Sequence, residues 1–339
     1  MPNSNIITVT LNPAVDRLLE VRRLLPGEHQ VAREISRTPG GKGVNVSRAL
    51  SSLGVASTAA GFVGKDNRAE FAALFEDPQV QDAFLDLPGR TRENVSILAR
   101  ETGTVTHFRD VGLPVDHLSV ARLGRRLEQR AGDGATVVFS GSLPPGLAPA
   151  ALAGLASRCH KAGTRVAVDT SGDALRTAAG LPLWLFAPNV AELSELAEEP
   201  LVKPGAQVTA ARRLFPDAGF VLVSRGAEGA LLVREREAWS ARVTEPLDVK
   251  NTVGCGDVLL GTFVACATGC LQPVPHGLQP NRGAPIGAAE PGGAELSPKA
   301  ALSHAVATAS AVACHELPAT FDPALADRLA GSVALTELG

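Results

Sequence analysis

Apolar positions along the chain fall into short continuous runs, separated by longer stretches in which they recur every three or four residues. The runs are IITVTL, TVVFSG, RVAVDT, LWLFAPN and FVLVSRG, none with the polar alternation of a half-exposed strand. Such runs predict strands buried on both faces, as in a parallel sheet covered by helices. Between them, NVSRALSSLG sets Val46, Ala49, Leu50 and Leu53 on one helical face and ends on Gly54, a helix-stop residue. The alternation predicts an α/β fold, a doubly wound and mainly parallel sheet.

Three stretches break this rhythm. Residues 14–38 and 91–109 read as strands joined by turns with no helix between them, and are expected outside the main sheet as a flap or interface. Residues 272–297 are rich in Pro and Gly and poor in large apolar side chains, as expected of a surface insertion. No internal repeat is present, so residues 1–339 read as one domain with these additions.

Polar and turn residues gather at the carboxyl ends of the predicted strands. They are Ser140-Gly141-Ser142, Asp169-Thr170-Ser171, Pro188-Asn189 followed by Glu192, Ser224-Arg225-Gly226, and the stretch Asn251 to Asp257. One such turn is ordinary loop chemistry, but five point to a shared crevice at the ligand-binding edge of an open α/β sheet.

Two glycine clusters supply candidate chemistry. In NTVGCGD, Gly254 and Gly256 lack a Cβ, so N–H groups at the positive end of a helix can approach an anion. Asp257 reads either as a helix cap or as a base acting on a hydroxyl beside the anion, since a carboxylate repels phosphate. In TPGGKGVNVSRAL, Gly40, Gly41 and Gly43 open a second helix, with Lys42 facing phosphate or solvent and Asn45 in its first turn. The spacing fits neither a Walker loop nor a dinucleotide fingerprint. Asp16, just past the first strand, reads on its own as a turn former. Two anion-type sites imply two phosphates, or one phosphate and a polar substrate, as a phosphoryl transferase requires.

Bulk properties narrow the partners. The formal charge is −3 over 339 residues with no basic block, which gives no electrostatic footprint for nucleic acid or a membrane surface. The start, MPNSNIITVTLNPAVD, lacks the basic-then-apolar pattern of a signal peptide, and no run approaches the ~18 apolar residues of a membrane span. Cys159, Cys255, Cys266, Cys270 and Cys314 are scattered and odd in number, without metal-type spacing. The expectation is a reduced, cytoplasmic protein.

The order of TLNPAVD, GGKGVNV, TRENVSI, SGSLPPG, PNVAEL, VSRGAEGALLV and TVGCGD resembles the ribokinase-like (PfkB) carbohydrate kinases, in the branch acting on fructose 1-phosphate and tagatose 6-phosphate. The resemblance runs from about Ile6 to Cys270 and resumes around 299–330. It implies ATP-dependent phosphorylation of a sugar phosphate, with fructose 1-phosphate favoured because TRENV has the Thr-Arg-x-Asn form. Another sugar kinase of the same fold and a non-catalytic sugar-phosphate sensor are the alternatives. By the resemblance, Asp257 is the base, and the amides of Gly254, Cys255 and Gly256 form the anion hole. Asp16, Gly41, Lys42 and Asn45 hold the sugar, while Arg92, assisted by Ser140, holds its phosphate. Asn189 and Glu192 organise Mg²⁺, and Asn189, Ser224, Gly226 and Gly229 line the ATP site. The two β stretches form a small β-sheet lid that closes over the sugar and joins a homodimer. The chain departs from the branch at Ala187, where a Lys commonly precedes Pro-Asn, and at Cys255, where Ala is usual. Arg225, at a usually apolar position, is a candidate to restore the missing charge.

Overall fold

The computed structural model describes residues 6–130, 132, 134–271 and 294–338; residues 272–293 of the predicted insertion lie outside the described residues. The first seven strands are β1 (Ile6–Thr10), β2 (Ala14–Val21), β3 (Arg33–Gly40), β4 (Ser57–Gly64), β5 (Val80–Leu87), β6 (Arg92–Ala99) and β7 (Thr104–Phe108). They are followed by β8 (Thr136–Ser140), β9 (Arg165–Asp169), β10 (Leu185–Phe186), β11 (Phe220–Ser224), β12 (Ala230–Val233), β13 (Ala238–Val243) and β14 (Val333–Glu337).

Ten of these form the main sheet in the order β14-β13-β12-β11-β10-β9-β8-β1-β4-β5. From β5 to β11 the pairs are parallel; β12, β13 and β14 add an antiparallel edge. Helices cover both faces, and the apolar side chains separate into two large clusters. One, on one face, gathers Ile7, Val9, Phe62, Phe139 and Phe186; the other gathers Ile6, Leu50, Val138, Trp239 and Phe263. Ile6 and Ile7, or Val138 and Phe139, belong to opposite clusters, as the two-residue period of a doubly covered strand requires.

The five predicted runs are strands, but LWLFAPN contracts to Leu185–Phe186. Pro188 has no N–H for a ladder, so regular pairing stops there and the chain turns into the next helix. The helix after the first glycine cluster spans Lys42–Ser52, with Val46, Ala49 and Leu50 buried and Gly54 at φ +73° just past its end.

The two stretches set apart in the sequence form a separate four-stranded sheet, β3-β2-β6-β7. β2 runs antiparallel to β3 and parallel to β6, with a register shift at Leu18/Leu19. Its Asp16 is flanked by Thr38 on β3 and Asn94 on β6.

Candidate active site

The helix Cys255–Ala267 begins on Gly254, whose φ of +85° suits glycine, and a Cβ there would lie 2.6 Å from that of Ala319. Asp257 is therefore the third residue of the helix and does not cap it. Its carboxylate is buried and accepts a hydrogen bond from Asn45 Nδ2 on Oδ2 at 2.7 Å. The amides of Gly254 and Gly256 have no acceptor among the described residues, while the Cys255 amide reaches the Thr252 carbonyl at 3.4 Å. Nothing lies within 4 Å of where a Gly256 Cβ would stand. Protein packing does not demand glycine at that position, and the open space above it is a cradle that a side chain would fill. A phosphoryl group fits it.

Lys42 and Asp169 complete the centre. Lys42 Nζ donates to Asp169 Oδ1 at 2.8 Å, and Ser140 Oγ donates to Asp169 Oδ2 at 2.7 Å. Ser140 is thus turned inward onto a carboxylate. Asp169 stands at the end of β9 as the polar-edge pattern suggested, but its pairing with Lys42 is a finding of the structure. Burial drives the Asp257 carboxyl up to about 7, helped by the charge of Asp169; the Asn45 hydrogen bond and Lys42 hold it back. Burial also favours neutral Lys42, but Asp169, with Glu192 and Asp257 beyond it, outweighs this and keeps the ammonium above its ordinary value. The Cys255 thiol, pushed up to about 11 by burial and then by Asp257, stays protonated and unreactive.

Asp16 lies over Gly40, where a Cβ would fall inside its carboxylate, and Asn94 Nδ2 donates to its Oδ1 at 2.8 Å. Gly41 has a comparable steric reason, since a Cβ there would come within 2.8 Å of Thr10 Cγ2. Arg92 donates from Nε to the Pro13 carbonyl, from Nη2 to the Asn12 carbonyl and from Nη1 to the Asp110 carbonyl, at 3.3, 2.9 and 2.9 Å. Three of its five N–H groups are met by main chain, and two remain for a ligand. Asn12 Nδ2 in turn donates to the Val111 and Leu143 carbonyls at 3.1 and 3.2 Å, drawing three loops to one rim.

Asn189 and Glu192 sit at the start of the helix Val190–Ala197 as a reciprocal capping box. Asn189 Oδ1 accepts from the Glu192 amide, and Glu192 Oε2 accepts from the Asn189 amide, both at 2.9 Å. The Asn-x-x-Glu spacing carries that signal in the sequence. Burial raises the Glu192 carboxyl; the Asn189 amide and Lys42 oppose it, and Asp169 adds to it. Among the described residues no three such side chains form a metal cage. Carboxylates at 169, 192 and 257 against one ammonium nonetheless leave the pocket anion-rich, a donor set that suits a divalent cation held partly by water and phosphate oxygens.

Ser224 lies beside Asn189 in an isolated parallel bridge, so the metal-side and nucleotide-side residues adjoin. Gly226 and Gly229 bound the turn between β11 and β12. Gly229 has a packing reason, because a Cβ there would strike the Ala241 carbonyl; Gly226 opens on free space. Arg225 reaches the Glu228 carbonyl at 3.3 Å and Ser240 Oγ at 3.5 Å, bracing this turn.

The chain matches the model of the pfkB family carbohydrate kinases over residues 6–324. It is 35% identical over 256 residues to a 1-phosphofructokinase of Vibrio cholerae, covering 75% of this chain and 80% of that one. It is 33% identical over 260 residues to a 1-phosphofructokinase of Escherichia coli K12, covering 76% and 83%. The crystal structure of phosphofructokinase-2 from Escherichia coli in complex with potassium superposes with a TM-score of 0.83 at 26% identity, covering 96% of this chain and 98% of that one. With the helix-borne cradle, the buried carboxylate and a separate four-stranded sheet, the chain belongs to the pfkB family of carbohydrate kinases.

Proposed function

We propose that the protein transfers the terminal phosphoryl group of ATP to the 6-hydroxyl of fructose 1-phosphate, giving fructose 1,6-bisphosphate. The observation that carries the reading is Asp257, buried and raised to about 7, beside the unfilled cradle at Gly256. Asp16 and Asn45 orient the sugar, and Arg92 offers its two remaining donors to the phosphate already present. Asp257 takes the proton of the acceptor hydroxyl as that oxygen bonds to phosphorus and the bond to the ADP oxygen breaks. The Gly254, Cys255 and Gly256 amides meet the negative charge on the moving group. ATP supplies the phosphoryl group, and Mg²⁺, held by Glu192 with Asn189 fixing that side chain, supplies charge neutralisation. Ser224, Gly226 and Gly229 border the nucleotide. The expected result is ADP release with Mg²⁺ and ATP that is fastest on fructose 1-phosphate among fructose 1-phosphate, tagatose 6-phosphate, fructose 6-phosphate, fructose and ribose. Faster turnover on any other member overturns the substrate assignment.

We also infer that the four-stranded sheet acts as a lid over the sugar and joins two copies in a homodimer. Ile35, Val105 and Phe108 on this sheet are 42–53% exposed, an apolar surface that a monomer would leave in water. Sedimentation is expected to give a particle of two 35.0 kDa chains, with Phe108→Asp returning it toward one. A wild-type monomer at micromolar concentration would refute the dimer. Among the described residues no helix is long and apolar enough to cross a membrane, and the five cysteines are free. A cytoplasmic site of action accords with both.

A further inference from the structure

The lid carries a guanidinium that the reading above leaves unused. The β6–β7 ladder ends with Val95 opposite Phe108; Arg109 directly follows that pair on one side, and Asn94, which holds Asp16, directly precedes it on the other. Arg109 is exposed and has neither a hydrogen bond nor an ion pair among the described residues. Its backbone is nevertheless fixed. Arg92 Nη1 binds the Asp110 carbonyl at 2.9 Å, and Asn12 Nδ2 binds the Val111 carbonyl at 3.1 Å. Gly112 completes the turn at φ +105°, where any side chain would run into the Asn12 amide. The segment 109–112 is therefore tied to the rim of the sugar site, and Arg109 is one residue from the carbonyl that Arg92 itself grips.

The two guanidiniums lie within each other's field. Burial is the main cause that lowers the proton affinity of Arg92; Asp16 opposes it, and the Arg109 charge lowers it further. Like charges within each other's field repel unless an anion lies between them. A phosphate dianion converts that repulsion into two charge-assisted forks.

We propose that Arg109 is the second arm of a two-guanidinium clamp which, with Arg92, selects substrates that already bear a phosphate. The proposal rests on the sugar-phosphate reading above and adds a specificity residue to it. The test is calorimetric titration of the full chain with fructose 1-phosphate, tagatose 6-phosphate and fructose, for the unaltered protein, Arg109→Ala and Arg109→Lys, with the KM for ATP measured alongside. Arg109→Ala is expected to weaken the best-bound sugar phosphate ten- to a hundredfold, Arg109→Lys to recover part of that loss, and fructose affinity and the KM for ATP to stay within twofold. Sugar-phosphate affinities unchanged in Arg109→Ala overturn the clamp. So does an equal loss for fructose, which would mark a general effect on the lid, and so does an unaltered protein that binds no sugar phosphate. Preferred binding and turnover of tagatose 6-phosphate would overturn the fructose 1-phosphate assignment alone, while an Arg109 effect on that ligand would uphold the clamp.

Discussion

Asp257→Asn is expected to lower kcat by about 10³-fold, within the range for loss of a general base, and at the same time to raise the melting temperature. The first effect follows because no other carboxylate in the site is both buried against the cradle and bonded to Asn45. The second follows from the environment that makes the base useful. Folding lifts this carboxyl from its ordinary value of 3.8 to about 7, so the folded chain holds the proton more tightly than the unfolded chain does. Stability at this group is then fully present below the ordinary carboxylate range and is lost as pH rises toward 7. An amide carries no such cost, and its oxygen still accepts from Asn45 Nδ2. The gain is expected to be on the order of 1–3 kcal/mol at pH 8 and to shrink as pH falls toward 5. For the unaltered enzyme, kcat/KM should rise through about pH 7 and level off above it, because the base works only when deprotonated. A variant that kept a tenth of the activity, or melted earlier at pH 8, would remove Asp257 from this role.

Lys42→Met is expected to have the second-largest effect, reaching both stability and the pH profile. The substitution leaves Asp169, only 6% exposed, with Ser140 as its remaining side-chain donor. Stripping one partner from a buried ion pair costs about 3–5 kcal/mol; Lys42 keeps some solvent contact, so about 1–3 kcal/mol is expected here. Lys42 also helps to hold the Asp257 carboxyl down, so its removal should move the midpoint of the pH–rate profile upward. Asp169→Asn should move that midpoint the other way, since the Asp169 charge helps to push Asp257 up. At pH 7 we expect Lys42→Met to lose about 10²-fold in kcat, with part of the loss recovered at pH 9 and Lys42→Arg intermediate. Midpoints that stay fixed in both variants would show that these charges do not set the base.

The parts of this molecule that were legible in the sequence are those governed by local pattern. Uninterrupted apolar runs located β1, β8, β9 and β11, and the spacing of Val46, Ala49 and Leu50 located the first long helix. The strands of the small sheet were legible because 14–38 and 91–109 carry strand character with no helix within either stretch. β4 escaped notice because its STAAGFVG is made largely of small residues. There Gly61 is set by the close approach of the Thr10 carbonyl, a contact visible only once β1 and β4 are paired. At the site, glycine spacing and strand-end polarity placed Gly254, Gly256 and Asp257 in a shared crevice, while Asn45, in the second glycine cluster, was brought to the same site only by the family resemblance. The partnerships that give them chemistry cross the chain. Lys42 meets Asp169, Asn45 meets Asp257 and Asp16 meets Asn94, and no periodicity connects such positions. Asn12 and Asp169 passed without a role for the same reason, since their importance lies in what other loops bring to them.

The place of β1 between β4 and β8 also bears on how the chain is made. Ile6 to Val9 pair with Thr136 to Phe139, so one side of this strand waits for residues far downstream. At ~5–20 residues per second, a ribosome delivers that partner on the order of ten seconds after β1 has been polymerised. Until then IITVT, uncharged, free of proline and strongly β-forming, presents an open ladder to any neighbouring chain. β4 can close only one of its two sides. Slower translation between the two segments lengthens this exposure, and chaperone capture of the nascent amino-terminal third shortens it. Yield in the cell is thus tied to the pace of synthesis from β2 to β7, a stretch that supplies β4 and β5 to the main sheet but no second partner for β1.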